Sequence, residues 1–280
     1  MDIYGARLPT SSTDDTGEEH GTDTGPDINS GTAAEMWLRL ALLIEEKQIE
    51  IQDKVRRLGS APRDQDQQIV MQLRQALTMM LAELKTQQQH AGVHDIQCGR
   101  PSMPLNSETE YDDIEENPDI PGGPAMQDHS VPEDHNPPTP TILSVERQIL
   151  SLPSNHNVSA GYEGLEMELR KQQARNHITR IRDIVADISF LYQYMVKRGT
   201  RTSIRSNGQK KVKSLNHDKV LHARIYSACR SRLVALGCDQ EFLSIFCLLT
   251  RNDLKASTAI WKPNLMGSST LELLWIWRTG

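Results

Sequence analysis

Lys197, Arg198, Arg201, Arg205, Lys210, Lys211 and Lys213 fall inside a stretch, Ile188 to His217, that contains no aspartate or glutamate. Cations without interleaved acids attract a polyanion. Thr200, Thr202, Ser203, Ser206 and Asn207 add neutral donors suited to phosphate oxygens. If all seven charges met duplex phosphates, log K would fall against log salt with a slope of roughly −6, an upper bound from about 0.9 counterions released per contact. No aromatic residue lies between Lys197 and Lys213, so the segment predicts phosphate neutralisation without base stacking or sequence reading. The pattern also fits a two-part nuclear localisation signal: Lys197-Arg198, eleven residues, then Lys210-Lys211-Val212-Lys213. Two plainer readings compete, namely contact with an acidic segment of this chain or a partner, and a solvated basic loop.

Other residue types capable of chemistry are poorly placed. His90, His94 and Cys98 are spaced by four and would form one metal-binding stripe on a helix, but Gly92, Gly99 and Pro101 argue against a helix there. His217 and His222 read as surface or capping residues. Cys229, Cys238 and Cys247 lie nine apart on apolar segments, without a Cys-x-x-Cys pair, and read as small buried hydrophobes in a reducing compartment. No Ser/His/Asp arrangement or glycine-rich phosphate loop is present. The acids concentrate where the chain has least to bury, whereas catalytic carboxylates need a rigid supporting shell. The expectation is a protein that is not an enzyme and uses neither cofactor nor metal.

Charge divides the chain. Residues 1–140 carry 10 Lys+Arg against 26 Asp+Glu, a net −16, while 141–280 carry 21 against 11, a net +10. The modest total of −6 therefore conceals an acidic front half and a basic back half. Hydrophobic residues make up 37% of the chain, below the roughly 45–50% of a compact soluble domain, so part of it must lack a core. The acidic N-terminal stretch has no apolar run of the kind found in signal or transit peptides. No run approaches the ~18 apolar residues of a membrane span, so no membrane association is expected.

The elements that must position the basic segment follow from periodicity. Residues 1–31 are expected to be a disordered acidic tail. From Ala33, the residues Trp37, Leu40, Ala41, Ile44, Ile51, Val55 and Leu58 recur at helical spacing, and Gly59 to Pro62 stop the helix. Val70, Leu73, Leu77, Met80, Leu81 and Leu84 repeat the pattern, with Asp64 and Gln67 as a capping box. The two predict a helical hairpin over 32–90 with Gln48 in its seam, too thin to bury both faces and so packed on a second copy or on the C-terminal body. Residues 91–140, dense in proline and acid, predict a disordered linker that couples the hairpin loosely to the rest. A basic helical domain over 141–280 follows. It holds a helix from Tyr162 to about Met195 with Arg170 off its apolar stripe, a basic loop, and a helix from about Leu215 to Leu236 ended by Gly237. Trp275-Ile276-Trp277 is expected to fold back onto this pair. The fold class is mainly α.

Within 141–280 a series of short motifs recurs in a recognisable order: Gly164-Leu165, Glu168-Leu169-Arg170, Gln173-Ala174, Arg198-Gly199 before Arg205, then Arg224, Tyr226, Ala228, Arg230, Leu236-Gly237, and Trp275-Ile276-Trp277. This order resembles the C-terminal helical region of fungal transposases of the Kyakuja–Dileera–Zisupton group. The resemblance implies a cysteine-rich zinc region and a nuclease core upstream, and neither is recognisable here. It implies a truncated or domesticated transposase-derived protein, nuclear and without strand-transfer activity, that contacts DNA or RNA non-specifically through the basic loop. Two alternatives stand beside it. One is an oligomeric interaction scaffold, like viral phosphoprotein adaptors, self-associating through 33–90. The other is a transposon remnant with no function.

Overall fold

The computed structural model describes residues 28–59, 62–93, 144–155, 161–254 and 275–278, with 28–32 as backbone alone. Of the expected tail over 1–31, residues 28–31 are already helix and 1–27 lie outside the described residues, as do residues 94–140 of the expected linker over 91–140. Helix α1 runs Ile28–Leu58, five residues earlier than its apolar pattern announces, and ends at Gly59, whose φ of 63° is left-handed. Helix α2 runs Asp64–His90. The capping box does not form: Arg63 is the N-cap without a side-chain bond, and Gln67 Nε2 donates to the Pro62 carbonyl at 3.3 Å. Trp37, Leu38, Ala41, Ile44 and Ile51 close against Leu77, Leu81 and Leu84, so the hairpin is real. Burying each such side chain contributes about 1.5–3 kcal/mol.

Residues 144–155 are strapped across this hairpin. Leu150 and Leu152 enter its core, Gln48 Nε2 donates to the Gln148 carbonyl at 2.8 Å, and Gln52 Nε2 donates to the Glu146 carbonyl at 2.6 Å. Arg74 Nε meets both oxygens of the buried Glu146 carboxylate at 3.1 Å. Gln48 thus serves a returning segment and not a seam between hairpin helices. Ala91 and Val93 belong to the same core, so the hairpin unit extends past residue 90.

Helix α3 spans Glu163–Leu191 and continues as a π-helical turn, Tyr192–Lys197. Helix α4 spans Thr202–Ala235, and Gly237, at φ 72°, reverses the chain into the short helix α5, Gln240–Ile245. Asp239 caps α5 by accepting from the Phe242 amide at 2.6 Å. Ala174, Ile178, Ile181 and Val185 of α3 pack on Val220, Ala223, Tyr226, Cys229 and Leu233 of α4, with Phe242 and Phe246 closing one end. Ile276 is fully buried in this core and Trp275 lies 6.1 Å from the Tyr226 ring, so the terminal aromatic segment does fold back. The described residues contain helices and no strand, and none of those helices is long and apolar enough to cross a membrane.

The hairpin docks on α3 and α4 through charges. Arg170, which the stripe pattern places off the apolar face, is completely buried, 2.7 Å from Glu45 of α1 and 2.6 Å from Glu166. Glu166 also accepts from the Ser154 amide at 2.8 Å and hydroxyl at 2.7 Å. Asp53 of α1 pairs with Arg224 of α4 and, at 2.6 Å, with Arg57. Gln173 Nε2 donates to Glu46 at 2.7 Å. The expected loose coupling is therefore replaced by a charged interface. Breaking a buried ion cluster by removing its cation strands two carboxylates. Arg170→Met should lower unfolding free energy in urea by about 3–5 kcal/mol. Arg39→Met, which removes an exposed pair with Glu35 at 2.6 Å, should cost below about 0.5 kcal/mol.

His222 is part of the same interface and is no capping residue. Its Nδ1 lies 2.9 Å from His177 Nδ1, and His177 Nε2 lies 3.2 Å from the Glu46 carboxylate. The neutral arrangement that satisfies all three has His177 Nε2–H donating to Glu46 and His222 Nδ1–H donating to His177. A second proton, added at His222 Nε2, would put a buried charge beside His177 and Arg180. Burial first, then the facing His177 and Arg180, push the His222 pKa from 6.5 down to about 4, outweighing Asp218 and Glu46. The unfolded chain thus binds this proton more tightly, and the stability His222 lends above about pH 6.5 is lost as pH falls toward about 4. Thermal unfolding should show Tm falling between about pH 7 and about pH 5, with a smaller fall in His222→Gln.

Candidate nucleic-acid interface

The seven basic residues are built by the junction of α3 and α4. The expected loop is mostly helix: Lys197 ends the π turn, Arg201 is the N-cap of α4, and Arg205, Lys210, Lys211 and Lys213 stand in its first turns. A run such as TSIRSNGQKKVKS offers little apolar periodicity, because its inward positions are Gly208 and Val212, with Asn216 and Val220 beyond. A stripe at every fourth position that includes a glycine and an asparagine escapes a hydrophobicity scan. From Thr202 to Lys213 the helix rises about 17 Å. Lys210 and Lys213 share one flank and Lys211 stands about 100° around from Lys210.

All seven side chains are exposed. None of them enters the ion pairs formed among the described residues. Lys197 Nζ sits 5.2 Å from the Tyr192 ring, the Arg198 guanidinium 5.2 Å from the Tyr194 ring, and Arg205 Nε donates to the Gly199 carbonyl at 2.6 Å. The first turn of α4 carries no acid and its N-cap has no side-chain bond, so the positive end of the helix adds to the field of the cations.

Two glycines set the geometry. A Cβ on Gly199 would run into the Met195 carbonyl oxygen, and one on Gly208 would stand 2.8 Å from Met195 Cβ and 3.3 Å from Val196 Cγ2. Helix α4 therefore lies almost in backbone contact with the π turn. Val212 anchors the next turn against Ile184 and Ile188.

The last turn of α3 and the π turn bring to this edge a group that residue order does not announce. Phe190 and Tyr194 are 45% and 50% exposed, with ring centroids 4.5 Å apart. The absence of aromatics between Lys197 and Lys213 suggests an interface without rings. The rings lie just upstream and, through Lys197 and Arg198, beside the cations. Three of the chain's 13 aromatic residues within five positions was the available signal.

The other candidates fare differently. His90 ends α2, while His94 and Cys98 lie outside the described residues. Burial pushes the Cys229 thiol up to about 12, in keeping with a packed cysteine. Many residues of the transposase-like order do structural work. Arg170, Gln173 and Arg224 hold the hairpin, Arg230 Nε donates to the Phe246 carbonyl at 3.0 Å, and the Tyr226 hydroxyl donates to the Cys247 carbonyl at 2.7 Å. Arg198, Gly199 and Arg205 alone belong to the basic junction.

No protein-family model, curated protein or solved structure matches this chain. The interface therefore rests on its own chemistry. Overpacking a contact of this closeness costs about 1–3 kcal/mol, more than the helix propensity gained by replacing glycine. Gly208→Val should lower Tm, whereas Gly164→Val, with open space around it, should leave it unchanged in the same calorimetric scan.

Proposed function

We propose that this chain is a non-catalytic nucleic-acid-binding protein that takes hold of phosphate backbones through Lys197, Arg198, Arg201, Arg205, Lys210, Lys211 and Lys213 without reading base sequence. One observation carries the reading: all seven cations reach solvent, and no carboxylate of the described residues pairs with any of them. Three arginines elsewhere, Arg170, Arg224 and Arg74, are each held on an acid. A surface that leaves this many cations uncompensated suits a polyanion. Descent from a transposase of the Kyakuja–Dileera–Zisupton kind is part of the proposal and rests on the order of motifs over 141–280. Nuclear residence rests on the exposed two-part basic signal.

A second reading, an interaction scaffold self-associating through 33–90, draws on the exposed apolar residues Met36, Leu43, Ile69, Met71 and Met79 of the hairpin. Sedimentation of the full chain separates it from the first, since phosphate binding needs no second copy. For the leading reading, Lys210→Glu/Lys211→Glu/Lys213→Glu should weaken DNA binding in a filter-binding titration. The slope of log K against log salt should flatten by roughly three, following about 0.9 per contact. An unchanged affinity disposes of the proposal.

A further inference from the structure

We propose that the first turns of α4 lie in the major groove of B-form DNA, with the helix itself as the docking element. The inference rests on the phosphate-binding reading above and adds the form of the ligand.

The start of α4 stands out from the body of the protein as a ridge. Of the fourteen residues from Arg201 to Ser214, twelve are exposed, and only Gly208 and Val212 are buried. Gly208 lets the helix rest on Met195, and Val212 sets it against Ile184 and Ile188, so one narrow side holds it in place. Ser203, Asn207, Lys210 and Ser214 follow one another at steps of four, three and four residues and share the face turned away from that contact. Lys213 lies to one side of this crest, with Lys210 leaning toward it, and Lys211 lies to the other.

Shape and charge together select the occupant. Two serines and an asparagine are short, so the crest does not hold the helix off a surface that it meets. A helix with its side chains measures about 10–12 Å across, and the major groove of B-DNA is about 12 Å wide. With the crest toward the base edges, Lys211 faces one phosphate wall and Lys213 the other. Ser203 to Ser214 rises about 17 Å, the height of roughly five base pairs. Lys197, Arg198 and Arg201 stand where the ridge begins and meet the backbone bordering the groove. No acid from Ile188 to His217 repels a phosphate.

Other occupants fit less well. A protein partner finds no apolar crest here. A single strand needs open rings to stack on, and those of the π turn are engaged: Tyr194 holds Phe190 at 4.5 Å and the Arg198 guanidinium at 5.2 Å. Duplex RNA has a deep, narrow major groove that excludes a helix. Serine hydroxyls serve base donors and acceptors alike, and Asn207 alone on the crest carries the amide that pairs with adenine. One such position does not define a sequence, so phosphate contacts still dominate.

The test titrates the full chain by fluorescence anisotropy against three labelled duplexes: plain DNA, RNA of the same sequence, and the DNA with glucosylated hydroxymethylcytosine, whose sugar fills the major groove. The wild type should bind plain DNA at least about tenfold more tightly than either of the others. Ser203→Trp/Asn207→Trp keeps every charge and adds bulk only at exposed positions. It should lose about tenfold on plain DNA and flatten the salt slope by about one to two, as flanking lysines lose reach at about 0.9 per contact. Its Tm should match that of the wild type. Ser203→Ala/Asn207→Ala, which leaves the crest low, should keep the preference for plain DNA. Affinity for either of the other duplexes that equals or exceeds that for plain DNA overturns groove docking, and this comparison needs no variant to fold. An unaltered titration of the tryptophan variant overturns it as well. If the lysine reversals then still weaken binding, phosphate contact stands without the groove. If the wild type binds none of the three, both readings fall together.

Discussion

A guanidinium with no access to water sits where three parts of the chain meet. Arg170 of α3 reaches Glu45 on α1 and Glu166 one turn back on its own helix, and Glu166 is held in turn by Ser154 of the strap. Such a cluster contributes little net stability, because desolvating the charges offsets most of their attraction. Its larger effect is on register. Any other docking of α1 leaves a carboxylate buried without its cation. Apolar contacts between Ile49 and Ile225 or Ala228 tolerate small slips, and the ion cluster does not.

From that fixed point the rest of the interface runs along α1 as a series of unlike contacts. Glu45 meets Arg170, Glu46 meets Gln173 and His177, and Asp53 meets Arg224. Acids of the hairpin are thus spent on cations of the C-terminal helices near the middle of α3 and α4. The opposite end of those helices, where α3 turns into α4, receives none. The polarity of the whole sequence, acidic before basic, is resolved in the structure as partial neutralisation. Among the described residues, acids meet cations along the hairpin interface and none pairs with a cation where α3 turns into α4.

Much of this architecture was legible in the residues. The apolar repeats of Val70 to Leu84 and Leu165 to Ile188 are strong enough to place helices, and Gly59 and Gly237 mark their ends by the left-handed backbone they supply. The terminal Trp-Ile-Trp announced a buried segment because so few aromatics occur elsewhere. Three features escaped. Arg170 falls off the apolar stripe, and periodicity does not reveal a partner acid 125 positions away. The first turns of α4 read as loop because their inward positions are a glycine and widely spaced apolar residues. His222 looked superficial because its partner, His177, lies on another helix. For Arg170 and His222 the missing information was a long-range contact between polar groups.

The strap has a consequence for how the chain can vary. Val93 and Leu150 are both buried in the hairpin core, so the two ends of the intervening segment are pinned close to one body by native packing. The entropy of closing such a loop grows only with the logarithm of its length, about 0.6 kcal/mol for each doubling. Chain length added ahead of Ser144 therefore changes this closure entropy only slightly, whereas the strap itself, with Glu146 on Arg74 and on Gln52, has a fixed length.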